Sequence, residues 1–237
     1  LKAAQVTTGG LTADQHRRDK LKSAMCAQGF YEAMTLAFYA DADLDALHIA
    51  PDAPERNVIR IVNPISSNLT IMRSLLAPSL LNVAVTNLKK GNAAGRLFEL
   101  SNIYVPKQLP LTELPDERMM FSLGMYGDGD FFDMKGVVEE FFDQIGMHKK
   151  TEYDPKAGKT FLHPGRQALI SYEGEVMGYL GEVHPAVADT YGIGTRAYVA
   201  VLDILNVVKH ASFDRKYEGI AKFPAVNRDI SMVVPKE

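Results

Sequence analysis

An α+β fold, an antiparallel sheet flanked by helices, is what this sequence predicts, on three observations. Strand-like segments outnumber long helices and rarely alternate with them as repeated βαβ units would. RQALISY and EVMGYLGEV, on either side of Glu173 and Gly174, form a tight hairpin within Gly165 to Val183. FFDMKGVVEEFFDQIG carries Val138, Phe141, Phe142 and Ile145 at helical spacing, an apolar stripe that belongs in a core.

The elements follow in order. Thr12 to Gln28 is expected as a helix: Thr12 caps it, Leu21, Ala24, Met25 and Ala27 recur at helical spacing, and Gly29 takes a left-handed exit. Arg17, Arg18, Lys20 and Lys22 are its wet side. FYEAMTLAFY reads as a strand with Met34, Leu36 and Phe38 on one face, Asp41 as the cap of a short helix in DADLDALHI, and NVIRIV as another strand. Pro78 suits the first turn of a helix carrying Leu81, Ala84, Val85 and Leu88, which Lys89 and Lys90 favour at its negative end before Gly91 stops it. RLFELSNIYV and RMMFSLGMY are strands, and Asp130 opens the aromatic-rich helix that Gly146 ends.

In the hairpin a two-residue loop pairs Tyr172 with Glu175. An unbroken register then sets Arg166 opposite Gly181 and His163 opposite His184, which makes HPGR and GEVHP neighbours. PAVADTYG is a short helix, AYVAVLDI a strand and LNVVKH a helical turn. KFPAVNRDISMVVPKE places Ile230, Met232 and Val234 on one face of a last strand with no sequence after it to pair with.

The chain has 237 residues, 46% of them hydrophobic, and a formal net charge of −3, enough to bury a real core and too balanced for a dominantly basic nucleic-acid surface. The one cysteine, Cys26, lies among the apolar positions of the first helix, which excludes an internal disulfide and cysteine-based metal chelation and fits a reducing cytoplasm. There is no run of about eighteen apolar residues and no signal-peptide pattern, so no membrane association is expected. The chain opens on Leu1, and the expectation is that it is a piece of a longer protein.

Several groups invite chemistry. His163, Glu182 and His184 could form a two-histidine, one-carboxylate metal site, or a hydrogen-bonded structural cluster. Arg166 has room to clamp a carboxylate or phosphate; the plainer alternative is a salt bridge to Glu182 or Glu99. YGIGTR lacks the strand before and the helix after that a phosphate loop needs, so it is a turn into the next strand. Glu139, Glu140 and Asp143 are the solvated side of a helix, and no nucleophile elbow or Ser-His-Asp spacing is present.

NPIS, MRSLLAPSLL, RLFELSNIYV, FFDMKGVVEEFF, HPGR, GEVHP and KFPAVNRDISMVV, in this order from about Thr12 to Val234, resemble the C-terminal half of the beta subunit of bacterial phenylalanyl-tRNA synthetase. The resemblance implies a class II aminoacyl-tRNA synthetase-like domain over 12–212, in a non-catalytic copy. Residues 1–11 would then be the end of a preceding domain or a linker. Residues 213–237 would be a linker and the first strand of a ferredoxin-like anticodon-binding domain. It also implies a catalytic alpha subunit and tRNA(Phe) as partners, a heterotetramer of two alpha and two beta subunits, a cytoplasmic location, and ATP and magnesium for the whole enzyme, with no cofactor or metal in this portion.

An active class II site needs an arginine, with a glutamate two residues later, after the RLFEL-type strand, because the guanidinium must meet the alpha-phosphate of ATP. Here the strand runs on as Asn102, Ile103, Tyr104, Val105 and Pro106, and the glycine-rich third motif has no match. The expected role is therefore structural and assembling, with no catalytic residue. Asn63, Pro64, Arg73, Leu76 and Pro78 are the subunit-interface candidates, Arg73 bonding across a subunit contact or, alternatively, to a local helix terminus. His163, Arg166, Glu182 and His184 form a structural cluster or vestigial pocket, and Arg17, Arg18, Lys20, Lys22, Lys89 and Lys90 are tRNA-contact candidates. The alternatives are a tRNA-binding module, or a metal hydrolase built on His163, Glu182 and His184.

Overall fold

Capping chemistry starts the first helix where the sequence places it. The Thr12 hydroxyl accepts from Gln15 N at 3.2 Å and the Gln15 amide oxygen accepts from Thr12 N at 2.8 Å, opening α1 (Ala13–Ala27). Asp130 does the same for α4 (Phe131–Gln144), accepting from Phe132 N and Asp133 N while Asp133 accepts from Asp130 N. Thr12→Ala and Asp130→Ala should each lower the unfolding free energy by about 1 kcal/mol, read as a shift in urea midpoint at unchanged slope.

The computed structural model describes residues 9–147, 150–213 and 228–233. Besides those two helices it contains β1 (Tyr31–Glu32), β2 (Phe38–Tyr39), α2 (Asp41–Ala46), β3 (Ile71–Met72), α3 (Ala77–Lys89), β4 (Gly95–Val105) and β5 (Asp116–Tyr126). Then come β6 (Thr151–Asp154), β7 (Leu162–Tyr172), β8 (Glu175–Val183), α5 (Pro185–Tyr191), β9 (Ala197–Asp203) and α6 (Ile204–His210). The main sheet has seven strands in the order β1-β4-β5-β9-β8-β7-β6, antiparallel throughout except for β1, which runs parallel to β4. β2 and β3 pair separately.

Strand alternation sends side chains to two cores. Phe98, Phe121, Leu123, Leu180, Ala200 and Leu202 pack beneath α1, α4 and α6. Leu97, Tyr126, Tyr179, Val199 and Val201 face α2, α3, α5 and the β2–β3 pair. The molecule is thus a sheet with helices on both faces. Among the described residues no helix is long and apolar enough to cross a membrane.

Five expectations are corrected. FYEAMTLAFY is not one strand: its ends join different sheets, and Met34 and Leu36 are exposed, because the chain leaves β4 after Glu32 to bring Thr35 onto Glu99. NVIRIV makes only an isolated bridge, Arg60 to Ile71. The cap of α2 is Ala40, whose N–H donates to Asp43 at 3.0 Å, while Asp41 is drawn to Arg60 at 2.8 Å. Ala27 and Cys26 at the end of α1 are exposed rather than packed. Residues 228–233 form no strand, and the rest of KFPAVNRDISMVVPKE, Val234 included, lies outside the described residues. β6, by contrast, was not foreseen.

The hairpin forms as expected at Tyr172↔Glu175, but its register slips. After Ser171↔Val176 the next pair is Ile170↔Gly178, so Met177 is an extra residue on β8. Gly178 has φ 157°, and a Cβ there would stand 2.0 Å from the Val201 carbonyl oxygen, so the bulge requires glycine. Gln167 rather than Arg166 therefore lies opposite Gly181. A second irregularity follows at His163 to Arg166, where Pro164 offers no N–H to the ladder, and His184 N donates instead to Phe161 O at 2.9 Å.

Candidate functional site

Arg73, between β3 and α3, is only 2% exposed. Its Nε donates to the Asn102 carbonyl at 2.8 Å, and Nη1 donates to Glu99 Oε1 at 3.0 Å, to Thr35 Oγ1 at 2.9 Å and to the Leu36 carbonyl at 3.3 Å. Nη2 donates to the Ser101 hydroxyl. Glu99, also 2% exposed, accepts from the Thr35 hydroxyl and from Thr35 N. One guanidinium thus ties β4 to the strap that follows β1 and to the chain entering α3. The expectation that Arg73 bonds across a subunit contact is corrected: its partners are internal, since a buried guanidinium is tolerated only beside a counter-charge and enough acceptors.

Leu76 and Pro78 are likewise buried in the core beneath α3, so these two interface candidates face inward. Asn63 and Pro64 are exposed, in a loop that also leaves Val62 and Ile65 in solvent. The loop is carried by the Arg60–Ile71 bridge.

At the far end of β4 the chain offers Asn102, Ile103, Tyr104 and Val105. The ladder brings one cation alongside that the sequence reading missed: Arg118 on β5 pairs with Ile103. It was findable, because RLFELSNIYV and RMMFSLGMY were both read as strands and an antiparallel register fixes the partner. Arg118 lies 3.0 Å from Asp116 and 3.6 Å from Asp203. Asp203 also caps α6, accepting from Leu205 N and Asn206 N. The residues here do not fit a triphosphate: Arg73 is closed onto Glu99, and Arg118 is set between two aspartates.

The histidines that could have held a metal turn to their own backbones. His163 Nδ1 accepts from Gly165 N at 3.1 Å, and His184 Nδ1 accepts from Ala186 N at 3.2 Å, capping α5. Glu182 is engaged by Arg166, with Nε 2.7 Å from Oε2 and Nη2 3.2 Å from Oε1. This is the salt-bridge alternative, with Glu182 rather than Glu99 as partner. Among the described residues no group of three His, Cys, Asp or Glu side chains is arranged to hold a metal ion. YGIGTR is a turn: Gly192, at φ 74°, ends α5, Ile193 is buried, and the chain passes into β9.

The basic candidates do not form one patch, since α1 and α3 lie on opposite faces of the sheet. Arg18 pairs with Asp14 at 2.7 Å, Lys22 with Glu32 at 2.5 Å, and Lys20 sits over the Phe213 ring at 5.4 Å. Arg17, Lys89 and Lys90 are exposed, without an ion pair among the described residues.

This arrangement of sheet and helices is similar to solved structures of pyrrolysyl-tRNA synthetase from Desulfitobacterium hafniense. One has a TM-score of 0.66 at 14% identity, covering 83% of this chain and 68% of that one. Another has a TM-score of 0.67 at the same identity and coverage. The fold is therefore α+β, with a mostly antiparallel sheet, similar to the fold of those synthetases.

The sequence carries the assignment further. Residues 1–204 match the family described as phenylalanyl tRNA synthetase beta chain CLM domain, and the chain belongs to that family. Among its relatives is the phenylalanine–tRNA ligase beta subunit of Clostridium acetobutylicum, 33% identical over 237 residues, covering 100% of this chain and 30% of that one. The beta subunit of Clostridium tetani is 32% identical over 228 residues, covering 96% and 29%. That of Geobacter metallireducens is 32% identical over 250 residues, covering 99% and 30%. The chain thus spans about three tenths of the length of these relatives.

Proposed function

We propose that this chain is a non-catalytic structural and assembly domain of a phenylalanine–tRNA ligase beta subunit, with residues 12–212 as its core. It supports the ATP-dependent attachment of phenylalanine to tRNA(Phe) by an alpha subunit, in a cytoplasmic heterotetramer of two alpha and two beta chains. ATP and magnesium belong to the whole enzyme.

The observation that carries this reading is the closure of Arg73 on Glu99. An adenylating site stabilises charge that develops on a phosphate, and a single preorganised donor of that kind is worth about 3 to 4 kcal/mol. A guanidinium already surrounded by its own chain's acceptors has nothing left to offer an incoming phosphate. Asn63, Pro64 and their loop remain the surface through which assembly is argued, because Val62 and Ile65 there are 98% and 93% exposed.

ATP–pyrophosphate exchange by the isolated chain should stay at the blank, while the chain should co-purify with the alpha subunit. Exchange above the blank that Arg118→Ala or Arg73→Ala abolishes would overturn the non-catalytic reading. A second reading, tRNA binding, is favoured only by the uncompensated charges of Arg17, Lys89 and Lys90. It calls for a salt-dependent tRNA shift that charge reversal at Arg17 and Arg18 removes, and a flat titration at low salt would eliminate it.

A further inference from the structure

Three motifs that are far apart in the sequence and unused by the proposed function meet at one end of the sheet. HPGR supplies Arg166, GEVHP supplies Glu182, and YGIGTR supplies the loop from Gly194 to Arg196. They line an open cleft of about 400 Å³ between the end of β8, α5 and the start of β9. A volume of this order is within the range of small-ligand sites.

The charges in the cleft are unevenly matched. Glu182 has a side chain 4% exposed and is held by Arg166, whose own side chain is 40% exposed. Because Nε and Nη2 face the carboxylate, Arg166 Nη1 keeps no acceptor among the described residues. A second guanidinium, Arg196, enters the lining from the loop, next to Tyr198, the residue that pairs with Glu182 across the β8–β9 ladder. Burial pushes the Tyr198 phenol up, the Glu182 charge adds to this, and Arg196 pulls it back. So two arginines line a cleft that holds one buried carboxylate, and only Arg166 is paired with it. Arg196 has no ion pair among the described residues, and Asp189 stands on the α5 wall of the cleft. The N–H groups of Gly194 and Thr195 make no hydrogen bond to the described residues.

We propose that this cleft binds the oxyanion of a small ligand, a phosphate or carboxylate group, held by Arg196, by the free edge of Arg166 and by the backbone N–H groups of Gly194 and Thr195. Glu182 orients Arg166 and is not displaced. This proposal is independent of the assembly role, since it needs neither the alpha subunit nor tRNA.

The test is an NMR titration of the full chain, labelled with ¹⁵N, at fixed ionic strength. Inorganic phosphate is the probe in one arm and acetate in the other, with chloride as the balancing salt. The amide signals of Gly194 and Thr195 and the Arg196 side-chain signal should move and saturate with at least one of the two oxyanions, and the arm that saturates identifies the group. Arg196→Gln should weaken that binding about tenfold, a loss of about 1.4 kcal/mol, because it removes a charge-assisted hydrogen bond. Arg196→Lys should recover part of it, and Lys89→Gln should leave it unchanged. Shifts no larger than those chloride gives, or an affinity indifferent to Arg196→Gln in a variant whose spectrum is otherwise native, would overturn the proposal.

Discussion

Arg73→Ala should lower the unfolding free energy by about 3 to 5 kcal/mol, because it strands the Glu99 carboxylate in the interior with no counter-charge. The size of the effect follows from burial, since both side chains are only 2% exposed. An exposed pair such as Arg60 with Asp41 is worth no more than about 1 kcal/mol, although its distance, 2.8 Å, is shorter than the 3.0 Å of the buried pair. Arg73→Lys keeps the charge near Glu99 but cannot also serve Asn102, Ser101, Thr35 and Leu36, so it should fall between alanine and the native residue. Urea unfolding followed by circular dichroism checks the order. A loss below about 1 kcal/mol for Arg73→Ala would mean that water reaches the pair.

The same pair marks where sequence reading stopped. MRSLLAPSLL announced a helix and a charge beside it, and both are present. The partner, Glu99, lies in RLFELSNIYV, and only the parallel pairing of β1 with β4 and the strap after it bring Thr35, Glu99 and Arg73 together. Contacts of that sequence separation leave no periodic trace. The helices α1, α3 and α4 and the β7–β8 turn were legible because each is decided by local rules: a capping residue, a stripe at 3.6 spacing, a two-residue loop. The register beyond Ser171 was not, since one extra residue at Met177 moves every later pair, and only the close approach of the Val201 carbonyl to Gly178 shows why it is there.

Exposure of apolar residues was the other blind spot. Met34 and Leu36 alternate as a half-buried strand would, yet that segment's backbone is diverted to Glu99 and to the Arg73 side chain, and its apolar side chains point outward. The candidate chemistry divided along the same line. That Arg166 would meet Glu182 was readable from the hairpin, even with the register wrong by one, because the bulge at His163 to Arg166 restores the approach. That Arg196 would come to the same place was not, because the turn after α5 carries it there.

Phe141→Ala is expected to cost about 3 to 5 kcal/mol, comparable with the loss of Arg73 but by a different mechanism. Phe141 is fully buried on α4, with its ring centroid 5.2 Å from that of Phe121 on β5 and 5.9 Å from that of Phe142. Phe121 in turn stands edge-on to Phe98 on β4, with centroids 5.6 Å apart. The side chain is therefore the link by which α4 holds the middle of the sheet. Its removal forfeits apolar burial, leaves a cavity that strands on one side and a helix on the other resist closing, and breaks aromatic contacts worth about 0.5 to 1.5 kcal/mol each. Phe141→Leu refills most of that space and should cost clearly less. Phe132, on the same helix but 73% exposed, provides the internal control: Phe132→Ala should change stability by no more than about 0.5 kcal/mol. Equal losses at positions 132 and 141 would mean that helix propensity, which the two substitutions alter alike, outweighs packing, and the account of α4 as the clamp on this sheet would have to be abandoned.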